Sequence, residues 1–395
     1  RGINKANFVI GNEEAINAIP ASFLSQARKD KFIGEAKFLR ALYYFYLVTR
    51  YGDVPLITII PEDGNGFPKS PKEDVYQQII ADLQDASTTL LAKGEEEAGR
   101  ADSGAAYALL GKVHLFRGEY DLALSAFQNI YGDYSLGNSV QDFTNNFLEE
   151  TEHGPESIFE VEYNDDLGDS AKWNSDVSGA GPQEVTFRGQ EYGWNDWFNA
   201  YPSLDLVNEF EDGDPRFGAT FYSDGDSWAG GTTIRTGTPP ATVPEDETYI
   251  PLERVAAWKK YQNYYKDTNE DQASGINMKV IRYADVLLMM AECANEVVSQ
   301  AAAVGYVNQV RARVGMPLLA TSLSKSQVFD AIVHERKVEL AGEQVRFPDL
   351  VRWGLASEVL GQYGFQAGKN EIFPIPDREI SSNENITAAD QNPGY

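Results

Sequence analysis

One stretch of the chain constrains the fold more than any other. Tyr107-x-x-Leu110-Gly111, then Ala123-x-x-x-Phe127, with Gly118 and Tyr120 at the turn between them, has the spacing of a tetratricopeptide-type helical pair. Small residues at Gly111 and Ala123 let two antiparallel helices approach closely, and Phe127 fills the groove between them. His114 stands where such repeats more often carry tyrosine and reads as a packing residue. One pair cannot bury its own outer face, so others must stack on it. Arg282–Val298 followed by Ala301–Arg313 reads as a second pair, and Ser324–Ala341 with Phe347–Leu360 as a looser third.

The rest of the pattern agrees with a helical scaffold. Glu35 to Tyr51 is apolar on nearly every face, as a helix between neighbours would be, and Gly52-Asp53-Val54-Pro55 ends it. Ser70-Pro71 opens a further helix to about Leu91. The expected fold class is mainly α: a single domain over 1–395, built on a tetratricopeptide-like superhelix and carrying an irregular region with short strands. Residues 34–131 and 276–360 are its two helical-repeat parts, and 361–395 is an extended C-terminal segment.

Residues 160–275 read differently. They hold five of the six tryptophans, the pairs Gly230-Gly231 and Pro239-Pro240, and many Asp and Asn. Weak periodicity and frequent turn residues predict loops and short strands borne on the scaffold, where binding commonly resides. The stretch carries eight basic against 23 acidic residues, a net −15 of the chain's −27. That balance opposes nucleic-acid binding, which needs a basic footprint.

Catalytic and metal signatures are not found. His114, His153 and His334 lie in no HExxH pattern and are not spaced as zinc ligands. Neither a GxSxG elbow nor a GxxxxGK[ST] loop occurs. Gly168-Asp169-Ser170 reads as a turn. Asp212-Gly213-Asp214 and Asp224-Gly225-Asp226 read as turns or caps before calcium ligands, because neither has the EF-hand spacing. The lone Cys293 lies in an apolar helical run and reads as a small buried hydrophobe. No catalytic residue, metal or cofactor is assigned.

The tryptophans are the sharper signal. A sugar ring has an apolar C–H face, and a flat aromatic ring on a loop makes a platform for it. Burying about 50 Å² per platform is worth roughly 1 kcal/mol. Trp194-x-x-Trp197, flanked by Tyr192 and Asn195, is the densest candidate, with Trp228 in a Gly-rich loop and Trp173 further candidates. Trp258 and Trp353 read as scaffold.

Taken in order, the motifs resemble the SusD/RagB family. They include Gly34-Glu35-Ala36-Lys37-Phe38-Leu39-Arg40-Ala41, Tyr51-Gly52-Asp53-Val54-Pro55-Leu56, Asp214-Pro215-Arg216 and Ile281-Arg282-Tyr283-Ala284-Asp285. Val307-Asn308-Gln309-Val310-Arg311-Ala312-Arg313 and His334-Glu335-Arg336 with Glu339-Leu340 follow. Arg346-Phe347-Pro348-Asp349-Leu350-Val351-Arg352-Trp353-Gly354, Phe373-Pro374-Ile375-Pro376 and Gln391-Asn392-Pro393-Gly394-Tyr395 complete the series. The sequence departs from the family pattern at Leu340-Ala341-Gly342-Glu343.

The resemblance implies a non-catalytic role at the cell surface: capture of oligosaccharide or polysaccharide and its delivery to a SusC-like, TonB-dependent outer-membrane transporter. It also implies outer-membrane localisation through an N-terminal lipid anchor, which this sequence, with no Cys before Cys293, does not contain. Ligand-contacting residues vary within the family, so the tryptophans rest on the residue reading alone. The acidic loop region points to a neutral glycan such as a β-glucan. The alternatives are a glycoside hydrolase using an acidic pair, and a repeat scaffold for a protein or peptide.

Overall fold

The structure is a computed structural model, and it describes residues 1–61, 64–164, 186, 188–194, 197–228, 231–250, 256–266 and 274–395. The chain divides into two compact units. One is formed by Arg1–Asp133 with Val345–Tyr395, the other by Tyr134–Gln344.

The first unit opens with six helices: α1 (Gly2–Gly11), α2 (Glu13–Ala18), α3 (Gln26–Tyr51), α4 (Lys72–Thr89), α5 (Ser103–Phe116) and α6 (Tyr120–Gln128). Neighbours in sequence pack together, α3 on α1 and α4, and α5 on α4 and α6. Along α4, Val75, Ile79, Leu83 and Ala86 recur at helical spacing and are all buried. Gly52 ends α3 with a φ of 72°, a conformation that costs a residue with a Cβ. The close approach expected of α5 and α6 is present: a Cβ at position 111 would fall 2.4 Å from the Phe127 ring. His114 is buried and its Nδ1 meets Glu119 Oε2 at 2.6 Å. Arg40 of α3 holds Asp82 of α4 through two bonds of 2.7 Å and also donates to Asn7 Oδ1 of α1. The chain returns to this unit with helices Arg346–Arg352, Ala356–Leu360 and Asp377–Ser382. Asn392 Nδ2 then donates to the carbonyls of Tyr51 and Phe373, tying the C-terminal run to the end of α3.

The second unit carries α7 (Val140–Asn145), β1 (Ser157–Val161), α8 (Arg188–Tyr192), α9 (Leu204–Val207), α10 (Arg216–Thr220), β2 (Phe221–Tyr222), β3 (Thr233–Arg235), β4 (Glu247–Tyr249), β5 (Ala257–Trp258) and β6 (Met278–Arg282). Its long helices α11 (Tyr283–Val297), α12 (Gln300–Arg313) and α13 (Lys325–Glu339) follow. Strands pair two by two: β1 with β6 and β2 with β5 antiparallel, β3 with β4 parallel. The expected second helical pair is α11 with α12, and α11 is buried from Tyr283 to Asn295, Cys293 included. The looser third pair differs from expectation. α13 packs on α11 and α12, and its expected partner segment after Phe347 belongs to the other unit.

Helices of this second unit are joined by buried charge as well as apolar contact. Arg216 reaches Asp214, Glu335 and Glu339. Arg282 reaches Glu156, Glu339 and Glu343, while Arg313 reaches Glu156 and Glu339. Lys260 binds Glu343 and Arg311 binds Glu335. Five cations thus face five carboxylates, so this network of side chains carries no net charge.

Candidate functional site

Two groups of aromatic residues in the loop-rich region bear on the site. Trp194, Trp228 and Tyr264 form an interior trio, with Trp194 edge-on to Trp228 at 5.1 Å and tilted against Tyr264 at 5.7 Å. Trp228 meets Tyr264 at 5.5 Å, and its Nε1 donates to Thr232 Oγ1. Phe198, Tyr222, Ile234, Ile250 and Ala257 close the cluster around them.

The second group is on the turn beside it. Trp197 is 53% exposed and Tyr201 42% exposed, with Phe198 turned inward between them. Phe198 has a φ of 49°, a strained value for an aromatic residue, and its ring packs on Tyr201 at 5.8 Å. Two bonds fix this turn from the scaffold side: Trp258 Nε1 donates to the Ala200 carbonyl at 3.1 Å, and Asn199 Nδ2 donates to Glu191 Oε2 at 2.9 Å. The exposed rings are therefore carried on a pinned backbone.

The candidates read from the sequence separate accordingly. Trp194 is 7% exposed and lies in the interior trio, Trp228 is half-buried against it, and Trp197 presents its ring to solvent. Tyr192 is half-buried, beneath the Arg188 guanidinium at 5.4 Å, and its hydroxyl receives a long bond from Gln344 Nε2. Trp173 and Asn195 lie outside the described residues. Trp258 is buried against Phe221, in keeping with a scaffold role. Tyr201 and Tyr264 were not singled out in the sequence. Tyr264 had a signal in the run Tyr261-Gln262-Asn263-Tyr264, where two amides stand between two aromatics.

Some of the acidic side chains of this region are paired within the unit. Glu211 binds Arg311, whose guanidinium holds its carboxyl below the usual range. Burial opposes the charge of Glu209, but Lys337 and His334 outweigh it and keep the carboxyl below its ordinary value. Asp214 is paired with Arg216. Asp226 accepts the Ser223 N–H and Asp224 the Thr236 N–H, so both act as turn acceptors. Among the described residues no cluster of three His, Cys, Asp or Glu side chains is arranged to hold a metal ion. None of the described helices is long and apolar enough to cross a membrane.

Exposed aromatic rings on a short, pinned loop make a candidate surface of the kind on which binding commonly resides. The chain belongs to the SusD family, whose description matches residues 155–370. A second family, described as "Starch-binding associating with outer membrane", matches residues 1–115. The chain is 29% identical to SusD-like protein P2 of Formosa agariphila, over 100% of this chain and 77% of that protein. It is also 29% identical to a SusD-like protein of Bacteroides ovatus, over 89% of this chain and 63% of that one. A solved "Laminarin binding SusD-like protein" is 31% identical with a TM-score of 0.80, covering 100% of this chain and 84% of its own. A SusD superfamily protein from Bacteroides vulgatus gives 27% identity and a TM-score of 0.76, covering 100% and 84% of the two chains. Both agree with the mainly helical fold expected from the sequence.

Proposed function

We propose that this chain captures a neutral glycan of the β-glucan type at the cell surface, without cleaving it, and delivers it to a SusC-like, TonB-dependent transporter. One observation carries the reading: the exposed Trp197 ring stands on a fold shared, at 31% identity, with a laminarin-binding relative. Trp197 supplies a platform for a sugar's C–H face, and Tyr201 beside it a second ring with a hydrogen-bonding tip. Trp194 and Trp228 lie instead in the interior cluster that Phe198, the residue after Trp197, also enters. Two platforms at roughly 1 kcal/mol each, with a few hydrogen bonds, place the affinity in about the millimolar to micromolar range. The acidic loops disfavour uronate-rich or sulfated chains. Anchoring to the outer membrane by an N-terminal lipid belongs to the same proposal.

Titration calorimetry against laminarin, other neutral glucans and an anionic polysaccharide tests it, with Trp197→Ala beside the parent. Neutral glucan should bind, the variant should bind at least about tenfold more weakly, and no shortened sugar should form. Silence across the panel, undiminished binding by Trp197→Ala, or release of product would overturn it.

A further inference from the structure

Two side-chain amides of the second unit stand apart in their hydrogen bonding. Gln262 and Asn263 are 2% and 1% exposed. Neither the Oε1 nor the Nε2 of Gln262 has a partner among the described residues, and Asn263 Oδ1 has none either. The Trp194 indole N–H is likewise buried and unpaired. Native interiors pair such groups almost without exception, because stripping water from an amide without replacing its bonds costs about 1–3 kcal/mol. Four such atoms in this part of one unit call for an occupant.

Their placement says which kind. Gln262 and Asn263 connect Tyr261, packed with Phe143, Phe147 and Ile276, to Tyr264 of the interior trio. Tyr261 itself holds a φ of 65°, an unfavourable value that fixes the direction in which the following amides project. Its ring is clamped under Arg188 at 3.9 Å, and its hydroxyl accepts the Lys279 N–H. The free capacity is mixed: Gln262 offers a donor and an acceptor, Asn263 an acceptor and Trp194 a donor. A phosphate or carboxylate would use donors alone, and a cation acceptors alone. A sugar hydroxyl uses both, and a side-chain amide meets two vicinal hydroxyls with one donor and one acceptor.

We infer that Gln262 and Asn263, with the Trp194 indole N–H, form a hydroxyl-binding subsite for a neutral glycan, opened when the half-buried Trp228 ring moves from the trio. Trp228 is the ring of the three that is not fully buried, and Gly225, three residues before it, stands at positive φ. The inference rests on the capture reading and deepens it, adding directional recognition to the stacking on Trp197.

The test uses the full chain, with laminarin as probe and two apolar variants of similar shape, Gln262→Met and Asn263→Leu. Each should lower laminarin affinity at least about tenfold while leaving the unfolding midpoint unchanged or raised, since an apolar group relieves the unpaired burial. Affinity within about twofold of the parent, with Trp197→Ala still weakened, would overturn this subsite and leave the capture reading standing. A midpoint that falls with the affinity would mean the amides are structural groups with internal partners, and would also overturn it. A parent that binds no glucan would remove both readings together.

Discussion

Replacing Glu339 by glutamine removes one charge from the buried network of the second unit and almost nothing else. Glu339 is fully buried and accepts bonds from Arg216 Nη1 at 3.0 Å, Arg282 Nη1 at 2.6 Å and Arg313 Nη2 at 2.5 Å. Each arginine keeps other carboxylates, Arg216 holding Asp214 and Glu335, Arg282 holding Glu156 and Glu343, and Arg313 holding Glu156. The network nevertheless passes from five against five to five cations against four anions. Leaving one buried charge uncompensated costs about 3–5 kcal/mol. For a unit of about 200 residues each kcal/mol moves the melting point by about 2–4 °C, so Glu339→Gln should melt roughly 6–20 °C below the parent.

Differential scanning calorimetry measures this directly, and a second arginine-side change sharpens it. Arg282→Met with Glu339→Gln restores four against four, so the double variant should be more stable than the summed single losses by about 1–3 kcal/mol. The pH dependence has a definite sign. Burial alone would raise the Glu339 pKa, but Arg313, Arg282 and Arg216 outweigh it and hold the carboxyl well below 4.5. Its stabilisation is complete above that value and is lost as pH falls toward the folded pKa. The parent should therefore lose stability in acid more steeply than Glu339→Gln. A glutamine variant melting within about 2 °C of the parent, with no coupling to Arg282, would refute the argument that charge balance holds these helices together.

Three further outcomes follow from single contacts. Gly111→Ala should destabilise the first unit by about 1–3 kcal/mol, opposite in sign to helix propensity, because the new Cβ meets the Phe127 ring at 2.4 Å; chemical denaturation reads this. Glu152, half-buried and beside Glu160 and Glu149, has its pKa pushed up to about 7, chiefly by burial. The folded chain thus binds an extra proton between about 4.5 and 7, and stability should fall as pH rises through that window. Glu152→Gln should flatten the slope there and melt above the parent at pH 8. Arg40→Met strands the buried Asp82 carboxylate of α4 and should cost about 3–5 kcal/mol, recovered in part by Asp82→Asn in the same chain.

Helix positions were legible because their signals are local. Gly52 places the end of α3, and Pro71 the start of α4, to within a residue, whereas α3 begins at Gln26, nine residues before the apolar run that starts at Glu35; Gly111 with Phe127 announces the α5–α6 contact. The charged motif residues were legible only as a family pattern. Arg216 and Glu335 are 119 positions apart, and Arg313 and Glu156 are 157 apart. Nothing local distinguishes such a buried arginine from one facing solvent, because its partner sits on another element.

The same physics explains why the candidate surface was only half legible. Tryptophan serves a core and a sugar platform equally well, and spacing in a loop cannot say which way the ring points. Trp194 and Trp197 are three residues apart, yet one lies in the interior trio and the other faces water. The left-handed turn at Phe198 buries its own ring and leaves that of its neighbour Trp197 outside. A surface built this way can change its ligand by altering loop residues while the charge network and helical pairs beneath stay fixed. The motifs that reveal the family are therefore those that hold the scaffold, and candidates for ligand contact must be read from exposure and unpaired polar atoms in the folded chain.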